Sequence, residues 1–210
     1  MLPSPVCAGV VGIITVVASL VAADPVSPGE RPHFFDFEVK GRRVAFVCDR
    51  SGSMSEPEGK PMAAAKAGLM ASLEALGESQ QFHLFFYNER VTVYTPPAGP
   101  GRPVFADDET LRGIRRFVDG VSASGGTRHA DALTAAFAVA PDEIFFLTDG
   151  DPRDDLAADE FERLAGRLGR TRLYVVQFST GGGEVESPRL AKLASTSGGG
   201  SRAVDPTATQ

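Results

Sequence analysis

The chain has 210 residues, enough for one medium domain with additional sequence, and its 42% hydrophobic and 23% charged residues are the balance of an ordinary soluble globular protein. Its formal charge is −6, and its short basic clusters, Lys40/Arg42/Arg43 and Arg112/Arg115/Arg116, make no basic stripe, so nucleic acid is not an expected partner. Two cysteines, Cys7 and Cys48, exclude a disulfide framework.

Residues 1–23 contain no Asp, Glu, Lys or Arg, and Val6 to Ala23 is an almost unbroken apolar run. Its length fits a signal-peptide core or a short N-terminal membrane anchor, and Val21-Ala22-Ala23 offers a small-residue cleavage site. There is no positive n-region, and Arg31, Lys40, Arg42 and Arg43 all follow the run, so cleavage and the side of the membrane stay open. The expected location is extracytoplasmic, secreted or anchored by residues 6–23. Residues 24–40 read as a linker whose end, "HFFDFEVKG", alternates weakly like a short edge strand.

Strand and helix patterns then alternate over a predicted domain of residues 41–205, with 206–210 as a tail. Val44 to Cys48 is a continuous apolar run, as in a strand buried on both faces, and Cys48 reads as a small buried residue. "KPMAAAKAGLMASLEALG" has helical spacing, with Pro61 near its start and Gly77 as its stop. "FHLFFY" and "VTVY" flank Asn88-Glu89-Arg90 as two strands of a tight hairpin, with His83 a hydrogen-bonded sheet residue. After the loop "TPPAGPGRP", Leu111, Ile114, Phe117, Val118 and Val121 mark a helix. "SASGGTRHADALTAAFA" is a glycine turn opening another, and "EIFFLTDG" is a second buried strand. A helix is expected over 155–168, capped by Asp154 or Asp155 and stopped by Gly169. "RLYVVQF" is a further core strand, Ser187 to Ser197 a last helix with Pro188 at its first position, and the tail adds a short strand. This order predicts an α/β fold: a doubly wound, mostly parallel sheet with one antiparallel edge strand and helices on both faces.

In such sheets, ligands bind beyond the carboxyl ends of the strands, and two buried strands end there in Asp49 and Asp149. Residues i, i+2 and i+4 of an extended loop point one way, so Asp49, Ser51 and Ser53 direct a carboxylate and two hydroxyls to one point. Gly52 and Gly150 let the backbone bend and come close. Thr127, in the GGT turn, offers a third hydroxyl. Two carboxylates and three hydroxyls form an all-oxygen set suited to a hard divalent ion, Mg²⁺, Mn²⁺ or Ca²⁺, and not to Zn²⁺ or Cu²⁺. Taken singly, these residues also read as strand ends, turn residues and a helix cap. His129 borders the set as a neighbour or partner contact, although a solvated position in a helix's first turn is its plainer reading.

These residues resemble the von Willebrand factor A-type domain and its metal-ion-dependent adhesion site, whose D-x-S-x-S, loop Thr and T/S-D-G step stand here as "DRSGS", "GGT" and "TDG". The resemblance runs from about Gly41 to Asp205. It implies Asp49, Ser51, Ser53, Thr127 and Asp149 as ligands of a Mg²⁺-type ion that coordinates an acidic residue of a protein partner. The resulting expectation is a non-enzymatic binding module, with the membrane contacted through the N-terminal segment if that is uncleaved. One alternative is a metal-assisted hydrolase using His129, yet no G-x-S-x-G elbow, H-E-x-x-H helix, Walker loop or G-x-G-x-x-G fingerprint is present. The other is a structural assembly domain with an unused metal site.

Overall fold

Residues 32–97, 99, 102–179 and 186–207 are described by the computed structural model of the chain. The predicted targeting segment, residues 1–23, lies outside them, as does the stretch 24–31.

Five strands run parallel: β3 (Arg43–Asp49), β4 (Gln81–Tyr87), β7 (Glu143–Thr148), β8 (Arg172–Phe178) and β9 (Gly200–Val204), in the order β4-β3-β7-β8-β9. Two short strands, β5 (Val91–Val93) and β6 (Val104–Phe105), pair antiparallel with the outer side of β4. The doubly wound parallel sheet read from the sequence is therefore the observed architecture. Unread was β6, two residues long and set in a Pro/Gly-rich loop too short to show a strand period.

Strict alternation along each strand divides the core in two. Val44, Phe46 and Cys48 of β3 join Phe145 and Leu147 of β7 on one face. Ala45 and Val47 join Ile144 and Phe146 on the other. Helices α1 (Lys60–Glu74) and α2 (Asp108–Asp119) cover the first face with Leu69, Leu73, Ile114 and Val118. The second face is covered by α3 (His129–Ala138), α4 (Ala158–Ala165) and α5 (Pro188–Thr196), through Leu133, Leu164, Leu190 and Leu193. Each such fully buried aliphatic or aromatic side chain contributes about 1.5–3 kcal/mol of burial free energy.

The expected edge strand before residue 41 is instead a separate two-stranded ribbon, β1 (His33–Phe34) with β2 (Phe37–Glu38). Phe35 and Asp36 turn between them at φ 45° and 66°, the left-handed backbone of a tight hairpin. Phe34, Phe35 and Val39 are buried in the core, so this ribbon packs with the domain. Phe35 presses on α1 where a Cβ at Gly68 would lie 2.5 Å from its ring, which only glycine permits.

The predicted helix over 155–168 is shorter, α4 at Ala158–Ala165, and neither Asp154 nor Asp155 caps it. Glu160 reaches back to accept from Ala157 N at 2.9 Å. Asp155 caps a different helix, accepting from Arg189 N (3.0 Å) and Leu190 N (3.2 Å) in the first turn of α5. Asp151 caps the short 3₁₀ turn Pro152–Asp154 by accepting from Arg153 N.

Candidate metal centre

The chain leaves β3 for one side of the sheet, to β4, and leaves β7 for the other, to β8. The gap between the carboxyl ends of β3 and β7 is therefore the switch point where α/β folds take ligands. Asp49 closes β3 there and Asp149 directly follows β7.

Asp49 is fully buried and held through both oxygens. Its Oδ1 accepts from Ser51 N at 2.7 Å, which curls the loop so that the Ser51 and Ser53 hydroxyls sit 3.1 Å apart. Its Oδ2 accepts from Thr148 Oγ1 at 3.0 Å and from the Tyr87 hydroxyl at 3.3 Å. Burial, and then the nearby Asp149 carboxylate, push Asp49 up to about 7, against the bonds from Ser51 and Thr148. Asp149 is also raised, mainly by burial, with the Ser53 hydroxyl opposing. Asp149 Oδ2 is buried without any hydrogen-bond partner.

A second loop is tied to the first. Gly52 N donates to Gly125 O at 2.9 Å, and Ser124 N to Arg50 O at 2.8 Å. Asn88 clamps that loop at both ends: its Nδ2 donates to Ser124 O at 2.6 Å, and its O accepts from Arg128 N at 3.0 Å. Thr127 thus stands half-buried beside the Asp49 loop, and among the described residues its hydroxyl has no hydrogen-bond partner. It does not cap α3, whose N-cap position is Arg128.

Behind Asp149, Gly150 takes φ +68°, and a Cβ there would fall 2.0 Å from Gln177 Cδ. Gln177 Nε2 donates to Gly150 O at 3.2 Å. Gln177 Oε1 accepts from Glu186 N at 2.9 Å. Ser53, Asp149 and Gly150 face an open cleft of about 710 Å³ whose walls include Glu56, Asp151 and Glu186.

His129 is not solvated. It is buried, edge-on to Phe146 and Tyr87, with Nδ1 3.0 Å from the Tyr87 hydroxyl. Because Tyr87 donates its one proton to Asp49, His129 donates from Nδ1, leaving Nε2 a bare, unpartnered ring nitrogen. Burial pushes His129 down to about 4 despite the pull of Asp155. Cys48 is likewise buried, its thiol pushed far up by burial and by Asp49. His83 is mostly buried in β4 beside Phe85, and burial lowers its pKa.

The sequence reading missed Tyr87, Thr148, Asn88 and Gln177. Thr148 stands inside the quoted TDG step; the other three are strand-end polar residues whose partners come from distant segments. Among the described residues no group of three His, Cys, Asp or Glu is arranged to hold a metal. Any ion here depends on two carboxylates supplemented by hydroxyls. That donor set suits a hard divalent cation, and the buried, unpartnered Asp149 Oδ2 is an oxygen such a cation would satisfy.

The model of the von Willebrand factor type A domain matches residues 44–152. Human inter-alpha-trypsin inhibitor heavy chain H4 is 31% identical over 124 residues, covering 53% of this chain and 12% of that protein. The solved von Willebrand factor type A protein from Catenulispora acidiphila superposes with a TM-score of 0.68 at 24% identity, over 80% of this chain and 40% of that one. The vWF domain of the type V pili tip protein Mfa5 from Porphyromonas gingivalis gives 0.56 at 10% identity, over 78% and 89%. The chain thus spans only a small part of its curated relative, and the structural likenesses speak for the fold.

Proposed function

The chain belongs to the von Willebrand factor type A family, and from that premise we propose a non-enzymatic protein-binding module. In this reading Asp49, Ser51, Ser53, Thr127 and Asp149 hold a Mg²⁺-type ion, and a partner's acidic side chain completes its coordination. The observation that carries the reading is the pair of carboxylates at the switch point. Asp49 and Asp149 repel one another in a buried setting, none of their principal influences is a Lys or Arg, and Asp149 Oδ2 has no donor. A divalent cation supplies the missing positive charge and makes carboxylate recognition favourable at a locally acidic cleft.

The residues around the two carboxylates each have a defined part in this reading. Thr148 and Tyr87 hold Asp49 Oδ2, and Ser51 N holds Oδ1. The clamp from Asn88 keeps Thr127 beside the Asp49 loop. Ser53 and Asp149 stand on the wall of the open cleft, where an incoming side chain arrives. His129, the base that a hydrolase would need, is sequestered beneath Asp49 and does not line that cleft, which supports a binding role over a catalytic one. An extracytoplasmic place is part of the proposal, supported by the apolar run at residues 6–23.

Thermal melts with and without Mg²⁺, Mn²⁺ or Ca²⁺ test the ion. Any one of them is expected to raise the melting temperature, a chelator to remove the gain, and Asp49→Ala to abolish the response. Unchanged melting in all three ions would refute it. Capture of partners with and without chelator tests the docking role, which fails if the same partners bind either way.

A further inference from the structure

The opposite end of the sheet has a different character. The amino ends of β3, β7 and β8 surround a recess of about 680 Å³ lined by six cations: Lys40, Arg42, Arg43, Arg167, Arg170 and Arg172. All six are exposed. Two carboxylates share the lining, Asp142 and Glu143. Both are already engaged by backbone donors: Asp142 accepts from Arg42 N and Arg43 N, and the buried Glu143 from Lys40 N and Gly41 N. Arg43 and Arg172 contact these carboxylates at 3.4 and 3.7 Å, and Lys40 pairs with Glu38. Arg42, Arg167 and Arg170 have no ion pair among the described residues. In a chain of net charge −6, this is a local excess of positive charge far from the acidic cleft.

Two neighbouring features indicate what the excess faces. Phe105, 44% exposed, lines the adjoining recess with Arg42, Arg43 and Glu78. The chain also enters the domain at this end, where Val39 N donates to Pro32 O at 2.7 Å, immediately before Lys40 and Gly41 bond to Glu143. The apolar run of residues 6–23 therefore precedes, by a nine-residue stretch to Pro32, a basic surface bearing an exposed aromatic ring. That combination is what an anionic bilayer surface attracts.

We propose that this basic end docks on anionic phospholipid headgroups, so that the domain stands base-down on its membrane with Asp49 and Asp149 turned outward. The proposal rests on the membrane anchoring expected of residues 6–23 and is independent of the ion. Exposed arginines near an anionic surface favour the docked orientation roughly fivefold each.

The test uses the full chain in vesicles, in chelator, with Cys7→Ser and one dye-bearing cysteine. The dye sits either at the base, Ser79→Cys, or at the cleft, Glu56→Cys; Cys48 is buried and stays unlabelled. Energy transfer to a headgroup acceptor is read as the base-to-cleft ratio. Moving from phosphatidylcholine to phosphatidylglycerol vesicles is expected to raise that ratio about twofold or more. The rise is expected to vanish in about 1 M NaCl, where the screening length is about 3 Å. It is also expected to vanish in Arg42→Gln/Arg167→Gln/Arg170→Gln, whose melting temperature stays that of the parent, and to persist in Asp49→Ala. An equal ratio in both lipids, or a rise untouched by the triple substitution, overturns the proposal. So does thermal stabilisation by soluble polyphosphate with no lipid-dependent change in ratio, which would assign the recess to free phosphate.

Discussion

Asp49 and Tyr87 are direct partners across the parallel pairing of β3 and β4, and the Tyr87 hydroxyl donates to Asp49 Oδ2 at 3.3 Å. One strand thus supplies the carboxylate and its neighbour supplies the group that fixes it. His129, reaching in from α3, fixes the hydroxyl in turn at 3.0 Å. Tyr87→Phe removes the middle of this chain, leaving His129 Nδ1 without a partner and Asp49 Oδ2 with Thr148 alone in a buried setting. Loss of about 1–3 kcal/mol of stability is expected in denaturant melts of the ion-free protein. If the site takes an ion, its apparent affinity should also weaken at neutral pH, because Asp49 then holds its proton more tightly. Titration calorimetry of Tyr87→Phe against the parent reads that second effect directly.

Asp49 and His129 give the ion-free protein opposing pH dependences. Asp49 rises from 3.8 to about 7 on folding, so the native state binds the extra proton and stability falls as pH rises from about 4 to about 7. His129 drops from 6.5 to about 4, so the unfolded state binds the extra proton and stability falls as pH is lowered from 6.5 towards 4. Between those limits the two slopes oppose one another. Asp49→Asn should uncover the histidine, giving a protein about 1–3 kcal/mol more stable at pH 6.5 than at pH 4. His129→Gln should uncover the aspartate and slope the other way. Equal slopes in both variants, measured by chemical denaturation in chelator, would refute the assignment.

Legibility of the fold from sequence followed residue periodicity. Strands such as β3 and β7 are continuous apolar runs because both faces are covered, and such runs need no knowledge of the tertiary structure. Asp49, Ser51 and Ser53 were legible for the same reason, being spaced along one segment. Tyr87 and Asn88 were not, because their roles arise from register: nothing local in "FHLFFYN" says that its end lies beside Asp49 or beneath Ser124. His129 was misread as solvated because a polar residue in a helix's first turn usually is, whereas here the turn points between Tyr87 and Phe146. Likewise "DGDPRDD" reads locally as a helix start, while Asp155 bonds to a helix more than thirty residues away.

Gly150 occupies a place no other residue fits. Its φ of +68° is already unfavourable to a side chain, and a Cβ would fall 2.0 Å from the buried Gln177 side chain. Gly150→Ala must expel Gln177 and break its bonds to Gly150 O and from Glu186 N. A loss of about 3 kcal/mol or more is expected. Pairing it with Gln177→Ala removes the clash, so the double variant should be more stable than the sum of the two single losses by about 1 kcal/mol or more. Additive losses would show that the clash is relieved elsewhere.

Asp155 joins the loop that follows the candidate site to the amino end of α5. Its two carboxylate oxygens accept from Arg189 N and Leu190 N, donors that no earlier turn of the helix can satisfy. The Arg189 guanidinium adds a bond to Leu156 O at 3.0 Å and lies 3.9 Å from the same carboxylate. Asp155→Ala should therefore lower stability by about 1–2 kcal/mol, as loss of a helix cap does, while Asp154→Ala, which holds no such bond among the described residues, should change it by about 0.5 kcal/mol or less. Asp155→Asn, which keeps one acceptor oxygen, should fall between them. A loss for Asp154→Ala as large as for Asp155→Ala, in parallel denaturant melts, would contradict the assignment of the cap to α5.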